Sequence, residues 1–482
     1  MGVNKRKVFT NLIWRFAERC GAQGVAFVVS IVLARLLAPE AYGTIALVTV
    51  FITILQVFVD SGFANALIQK KDADELDFST VFYFNVFICL VLYLIMFLAA
   101  PFIADFYETP ELEPVMRVLC LTIVVSGLKN VQQAYVSKTL QFKRFFYSSI
   151  IGTVGAAIVG IAMAYLGFGV WALVAQQLVN VTVNTIVLWF TVKWRPKLMF
   201  SFSRLKGLFS YGWKLLVSGL IDRVYSSVRQ LIIGKWYSTT DLAHYNKGKQ
   251  VPETIVININ AAIDSVLFPV MSGEQDDRER VKALTRRAIK TSSFIIWPIM
   301  FGLMATAESF VRVLLTDKWL PCVFFLQIFC FTYGFYPIHT ANLNAIKAVG
   351  RSDIFLKLEI IKKLIGVVSI LLSVPFGVKV IACAYLITSP LNAFVNAFPN
   401  KKLLGYSYFE QVKDMLPSML LSLAMALAVY CLYFLNLNIY LCFGLQIVVG
   451  VVVYVIGAKL FKFDSLEYVL NIFKKKNTPY II

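Results

Sequence analysis

Residues 31–47 read IVLARLLAPEAYGTIAL, and residues 231–248 read LIIGKWYSTTDLAHYNKG. Each is an apolar run that carries a basic residue, breaks at a turn and restarts with a tyrosine. Arg35 falls on Lys235 and, after a three-residue insertion, Tyr42 falls on Tyr245. Further out, FVDSG (58–62) falls near AIDSV (262–266), which pairs Asp60 with Asp264. FGVWALVAQQL (168–178) matches FGVKVIACAYL (376–386), and Asn184 falls on Asn392. The offset runs from 200 (Arg35 to Lys235) to 208 (Asn184 to Asn392). Four matches in one order point to a duplicated unit.

The chain around this repeat is too apolar for a water-soluble domain. Of its 482 residues, 59% are hydrophobic and 15% charged, with a mean hydropathy of +0.73. Soluble chains are about 45–50% apolar and about 25% charged. Apolar stretches long enough to cross a bilayer recur along the whole length. They lack the short alternation of barrel strands. We therefore expect an all-α polytopic membrane protein with about fourteen transmembrane helices. The predicted spans are 11–36, 42–68, 79–101, 115–137, 145–166, 170–192, 208–234, 242–271, 288–307, 322–346, 354–375, 378–398, 413–435 and 439–460.

Charge supports this map. The net charge of +19 suggests nucleic acid in a soluble protein, but here the basic residues sit in short loops between spans. With a cytoplasmic N-terminus, the cytoplasmic loops hold Lys70 and Lys71, Lys138, Lys143 and Arg144, the run Lys193 to Lys206, and Lys401 and Lys402. The tail adds Lys474 to Lys476, whereas the opposite loop ADFYETPELEP has four acids and no base. This is the positive-inside bias, and a missed helix would invert it downstream. Both termini are thus expected in the cytoplasm. The basic MGVNKRK leads into a run too long for a signal peptide and reads as the start of the first span. The longest piece outside the spans, 273–287, reads as a short amphipathic helix on the cytoplasmic face.

The repeat covers helices one to six and seven to twelve. Six is even, so both halves keep the same orientation, as in transporters with two lobes related about the membrane normal. The expected organisation is two parallel six-helix lobes, 1–204 and 205–404, plus two C-terminal helices and a basic tail in 405–482. Such repeats place a substrate cavity between lobes and suit alternating access.

Charges inside the spans point to that cavity, because facing lipid costs roughly 2.5–3.5 kcal/mol each. On the seventh helix Asp222, Ser226 and Arg229 share a face, and Arg223 lies near mid-depth. On the first, Arg15, Glu18 and Arg19 share a face. Lys129 lies near the middle of the fourth, and His339 on the tenth. Arg15, Arg19, Lys129, Arg223 and Arg229 are candidates for the substrate cavity. The planar guanidinium suits pyrophosphate and carboxylate. Glu18, Asp60, Asp222, Asp264 and His339 are candidates for ion coupling or gating. Structural readings stand beside these. Arg15 snorkels to the interface, and Asp222 with Arg229 locks helix seven to a neighbour. Asp60 and Asp264, recurring at helix ends, serve packing or gating. His339 is more often a satisfied polar core residue than a proton carrier. Eight scattered cysteines and two distant histidines offer no metal or disulfide pattern, so no metal is expected. Walker A, GxSxG and HExxH sequences are lacking, which argues against an enzyme.

The stretches LARLLAPEAYG, FVDSGFANALIQKKDADELDFSTVFYFN and WRPKLMFSF resemble the Wzx-type polysaccharide and O-antigen flippases, in particular the colanic and teichuronic acid exporter branch. LIIGKWYSTTDLAHYNKGKQV, LFPVMS, VRVLLTDKWLPCV and GRSDIFLKLEIIKK continue the likeness, which runs from about residue 5 to 415. The resemblance implies the fold of the multidrug/oligosaccharidyl-lipid/polysaccharide exporters. It implies flipping of an undecaprenyl-pyrophosphate-linked oligosaccharide to the outer leaflet of the bacterial inner membrane, driven by a proton or sodium gradient and without a cofactor. Membrane lipids are expected partners, and a polysaccharide polymerase or export machinery is a further candidate. Two departures bear on substrate contacts. Lys247 and Lys249 stand where the family tends to have Arg, and Asp222 and Arg229 stand on a helix often rich in Asn. A multidrug exporter of the same superfamily and an integral-membrane polysaccharide polymerase are the alternatives.

Overall fold

The computed structural model describes residues 5–60, 66–68, 70, 72–139, 141–435 and 437–468, with the backbone alone at 5–20, 210–212, 214 and 215. Among the described residues there are helices joined by short linkers and no strand, and every predicted span has a helical counterpart. In order they are α1 (Lys5–Leu36), α2 (Pro39–Asp60), α3 (Glu75–Phe106), α4 (Leu112–Leu119), α5 (Leu121–Lys138), α6 (Lys143–Tyr165), α7 (Val170–Thr191) and α8 (Phe202–Trp236). Then come α9 (Thr239–Gly273), α10 (Arg278–Ala305), α11 (Ala307–Leu314), α12 (Cys322–Tyr333), α13 (Tyr336–Ala348), α14 (Ser352–Ser373), α15 (Val378–Leu404), α16 (Tyr408–Cys431) and α17 (Ile439–Leu460). Among the described residues, eleven helical segments are long and apolar enough to cross a membrane. The predicted spans outside that set are α1, α8 and α14, which carry charges within apolar sequence.

The chain divides into two compact units between Ala243 and His244. The sequence repeat starts its second copy at the seventh span, which is α8, yet α8 packs into the first unit. In the first unit α6 lies along α7 and α1, presenting the small residues Gly152, Ala156 and Gly160 on one buried stripe. Helices in lipid gain no hydrophobic drive from contact with one another, so a small-residue stripe that lets backbones approach is the expected device. In the second unit Trp297 and Trp319 are fully buried, and Trp297 packs tilted against Phe301 and edge-on against Phe335. The last helix joins through Tyr454, whose hydroxyl donates to the Phe294 carbonyl at 2.8 Å.

Two features differ from the sequence reading. Residues 273–287 do not form a separate amphipathic helix. Asp277 caps a new helix through the Arg280 N–H, and 278–287 are the first turns of the unbroken α10. Val281, Leu284 and Thr285 are buried there, so the apolar face meets protein instead of a bilayer surface. Spans four and ten are also interrupted. The fourth splits at Cys120, and the tenth splits at Gly334–Phe335, where Pro337 opens the next helix without needing its missing N–H.

Candidate functional site

The first unit holds a cavity of about 500 Å³ between α2 and α8. Thr53, Gln56, Val57 and Asp60 line one wall, and Gly219, Asp222, Arg223 and Ser226 line the other. The i, i+3, i+4, i+7 spacing on both helices puts each set on one face. Two carboxylates and a guanidinium therefore share one space. Gln56 Nε2 donates to Asp60 Oδ1 at 3.0 Å, and the Ser226 hydroxyl turns back to its own helix at the Arg223 carbonyl. Lys129, half-buried on α5, lies within electrostatic reach of Asp60, as does Arg223. α5 is tied to the end of α2 by Asn130, whose amide donates to the Val59 carbonyl.

A network at one end of the unit sets where α8 begins. Asp74 and Asp77 form a reciprocal cap on α3. Asp77 is fully buried and takes Lys70 Nζ at 2.5 Å and Arg204 at 3.7 Å. Lys138 Nζ donates to the carbonyls of Leu67 and Lys70. The linker before α8 is pinned by its backbone, Lys197 N–H to Ser79 at 3.0 Å and Ser201 N–H to Thr80 at 3.1 Å. Ser201 then caps α8. Outside the spans, Asp74 has its carboxyl held below the usual range, first by the Asp77 backbone N–H.

At its other end α8 is clamped. A Cβ on Gly43 would lie 1.9 Å from the Thr239 carbonyl, so that backbone contact needs glycine, and one on Gly234 would lie 2.4 Å from the Leu47 side chain of α2. Lys235 Nζ donates to the Phe106 carbonyl at 2.6 Å and pairs with Glu108 at 3.0 Å. The Thr240 hydroxyl reaches Glu40 at 3.1 Å. The two helices thus run antiparallel, in contact at 43–47 and 234–239 and parted by the cavity at 53–60 and 219–226.

The second unit carries polar groups of a different kind. Asn342 accepts from Asn400 at 2.6 Å and from Gln411 at 3.0 Å, and donates to Gln411 at 2.6 Å. All three are fully buried. Asn396 Nδ2 lies 2.8 Å from His339 Nδ1. An amide nitrogen only donates, so that ring nitrogen is the acceptor. Asp264 accepts from Asn344 at 2.5 Å. Lys247 is buried above the Trp319 ring, and Lys249 pairs with Glu253 at 3.3 Å.

Of the sequence candidates, Asp60, Asp222 and Arg223 meet at the cavity, with Lys129 beside it. Arg229 is half-buried further along α8 and is not among the described cavity-lining residues. Asp264 and His339 belong to the second unit. Arg15, Glu18 and Arg19 lie on α1, but their side chains fall outside the described residues. Sequence reasoning missed Gln56, which sits one turn before Asp60. It expected mixed, net-basic walls, whereas this cavity is lined by two carboxylates and one guanidinium.

Comparison with known proteins places the chain. The polysaccharide biosynthesis protein family matches residues 32–324, and the chain belongs to that family. It is 25% identical over 355 residues to the succinoglycan biosynthesis transport protein ExoT of Rhizobium meliloti (strain 1021), covering 73% of this chain and 71% of the relative. It is 24% identical over 436 residues to the lipopolysaccharide biosynthesis protein WzxC of Escherichia coli (strain K12), covering 89% and 88%. To the teichuronic acid biosynthesis protein TuaB of Bacillus subtilis (strain 168) it is 25% identical over 307 residues, 62% of each chain. In fold it is similar to the lipid II flippase MurJ in an inward closed conformation. The TM-score is 0.76 at 16% identity, over 94% of this chain and all of the other. An inward-facing multidrug resistance MATE family transporter of the MOP superfamily aligns with a TM-score of 0.62 at 16% identity, over 80% of this chain and 94% of that one.

Proposed function

We propose that the protein is a flippase for lipid-linked oligosaccharide in surface polysaccharide biosynthesis. The substrate is an undecaprenyl-pyrophosphate oligosaccharide, moved from the cytoplasmic to the outer leaflet of the bacterial inner membrane, with both termini in the cytoplasm. It acts by alternating access and not as an enzyme, alongside a polysaccharide polymerase or export machinery. The observation that carries this reading is the cavity between α2 and α8, in a member of the polysaccharide biosynthesis family with a flippase fold.

The chemistry follows from the walls. Arg223, with Lys129 beside it, offers a guanidinium and an ammonium to a pyrophosphate or acidic sugar. Asp60 and Asp222 keep those cations charged within the span and must yield them when an anion enters. Because α2 and α8 touch at one end and part at the other, swinging α8 about the Gly234 contact widens or closes the cavity. The Lys235–Glu108 pair resists opening at the clamped end.

Replacing Arg223 and Arg229 together by Ala in a complementable deletion strain is expected to abolish surface polymer while membrane levels of the protein hold. Lipid-linked oligosaccharide then accumulates in the cytoplasmic leaflet. Wild-type polymer from the double variant would remove both residues from the transport path. The two carboxylates and the MATE-like fold favour one second reading, export of a cationic drug. Drug resistance on expression, with unchanged surface polymer in the deletion strain, would select it.

A further inference from the structure

We infer that the second unit holds a recognition site for one neutral sugar ring, formed by Lys249 and Glu253 on α9, Tyr333 and Tyr336 at the break between α12 and α13, and Tyr385 on α15. Glu253 lies inside the 35-residue α9, about 21 Å from its Thr239 end at ~1.5 Å per residue. A carboxylate at such depth needs a partner and marks a site by default. Lys249 Nζ lies 3.3 Å from it, one turn back on the same helix, and that pair alone answers the charge. Yet the Tyr333 hydroxyl also donates to Glu253, and Tyr336 lies within electrostatic reach of the same carboxylate. Tyr385 is close enough to act on both of those tyrosines. A structural ion pair needs none of these phenols.

Helix breaks build the cluster. Pro252, beside Glu253, removes an N–H from the middle of α9. The tenth span stops at Tyr333 and restarts at Tyr336, and the two rings meet at 5.1 Å, tilted by 40°. Ser389, one turn after Tyr385, donates to the Thr332 carbonyl at 3.0 Å and ties α15 to the break. Phe329 backs the rings, 5.3 Å from Tyr385 and 6.4 Å from Tyr333. The frame is therefore fixed, while the Glu253 side chain is 35% exposed and Lys249, Tyr336 and Tyr385 are half-buried. Packed ring bodies thus hold polar groups that an entering ligand can reach. Discontinuous spans are where transporters hold their substrates.

The chemistry of the set selects the ligand. The phenols both donate and accept, the ammonium donates and the carboxylate accepts. Lys249 and Glu253 cancel in charge, so the cluster favours neither a pyrophosphate nor an ammonium ion. An anion would need uncompensated cations, and an organic cation would need the carboxylate unpaired. A pyranose matches what is left. Its C–H face packs on an aromatic ring, and its rim of hydroxyls both gives and takes hydrogen bonds. Hydrogen bonds to a charged carboxylate are the strong ones, so Glu253 orients the ring and the tyrosines hold it.

The use of this site for the sugar part of a lipid-linked oligosaccharide rests on the reading above; the ring site itself does not. The test is saturation-transfer NMR of methyl β-D-glucoside and methyl β-D-galactoside with the purified full-length chain in a sugar-free detergent. Transfer to the ring protons of at least one glycoside is expected, with a dissociation constant of about millimolar. Glu253→Gln should weaken it by about tenfold, and Tyr336→Phe and Tyr385→Phe by several-fold. Glu113→Gln, in the first unit, should bind as the wild type does. Monodispersity by size exclusion confirms that each variant is folded, and the Phe variants keep the packing of the rings. Choline and methyl β-D-glucuronide serve as charged probes. Tighter binding of choline makes the cluster an ammonium cage, and tighter binding of the glucuronide makes it an anion site; either overturns the inference. So does a wild-type chain that binds neither neutral glycoside, or unchanged binding in Glu253→Gln and Tyr336→Phe. Failure of the wild-type chain to restore polymer in the deletion strain, with glycoside binding intact, refutes the flippase reading and leaves the site standing.

Discussion

In the first unit Asp60 ends α2 facing a cavity, with Gln56 on its carboxylate and Lys129 and Arg223 within reach. In the second unit its repeat mate Asp264 sits on α9 and meets Asn344. Its neighbours along the unit are amides that bond to one another, Asn342, Asn400 and Gln411. The sequence repeat sets an acid at matching positions of the two units, Asp60 and Asp264. Their partners differ. A charge in a low-dielectric span is stabilised either by an opposite charge or by hydrogen bonds, and Asp60 and Asp264 exemplify the two. The first is suited to anionic substrate, which competes for the same cations. The buried amides of the second unit, Asn342, Asn400 and Gln411, are neutral and bonded to one another, which gives rigidity.

The comparison breaks most easily at Arg223. Arg223→Glu sets a third carboxylate beside Asp60 and Asp222 in one cavity. Like charges there repel each other and any anionic substrate, so surface polymer is expected to fall by more than about tenfold. Immunoblotting of membranes separates lost function from lost protein. Adding Asp60→Arg restores the balance of sign and should recover part of the polymer. Full activity of the single variant would show that a cation at this place does nothing for transport.

Gln411→Leu tests the other side. It removes two bonds from Asn342 and one to the Tyr406 carbonyl, all in a fully buried place. Orphaned buried polar groups cost about 1–3 kcal/mol. The expected outcome is an unfolding temperature several degrees lower in detergent, with polymer per folded molecule unchanged. A transport defect without a stability loss would mean that the amide web moves during the cycle and is not a rigid frame.

Much of this was legible in the sequence. Hydropathy set each predicted span on a helix, and among the described residues eleven segments are long and apolar enough to cross a membrane, because a bilayer forces long apolar helices. The cavity candidates on α2 and α8 were visible as charges that hydropathy could not excuse. What stayed hidden depends on packing. Periodicity assigned 273–287 to a membrane surface because its apolar face was evident and its protein cover was not. The break at Cys120 left no pattern in composition, whereas the one at Gly334 is marked by Gly334 and Pro337. The offset rule also passed over a further copy, LEPVMRVL of α4 and AESFVRVL of α11, which pairs Glu113 with Glu308 at an offset of 195, shorter than the rest.

That last pair yields the smallest effect and a sharp one. Both short helices carry a Glu–Arg ion pair one turn apart, Glu113–Arg117 at 2.7 Å and Glu308–Arg312 at 3.0 Å. All four side chains are about a third exposed or more, so solvent screening limits each isolated pair to about 0.3–0.5 kcal/mol. Their surroundings differ. Arg117 also stacks on Phe97 at 4.5 Å, a contact that does not need the glutamate. Glu308 also accepts from Tyr433 at 3.0 Å, and Arg312 reaches Asp317 at 3.8 Å. Glu113→Gln should therefore be nearly silent in thermal melts. Glu308→Gln should lower the melting temperature slightly more, because one carboxylate serves two partners from different helices. Equal shifts would show that the duplicated pair contributes alone and that its added partners count for nothing.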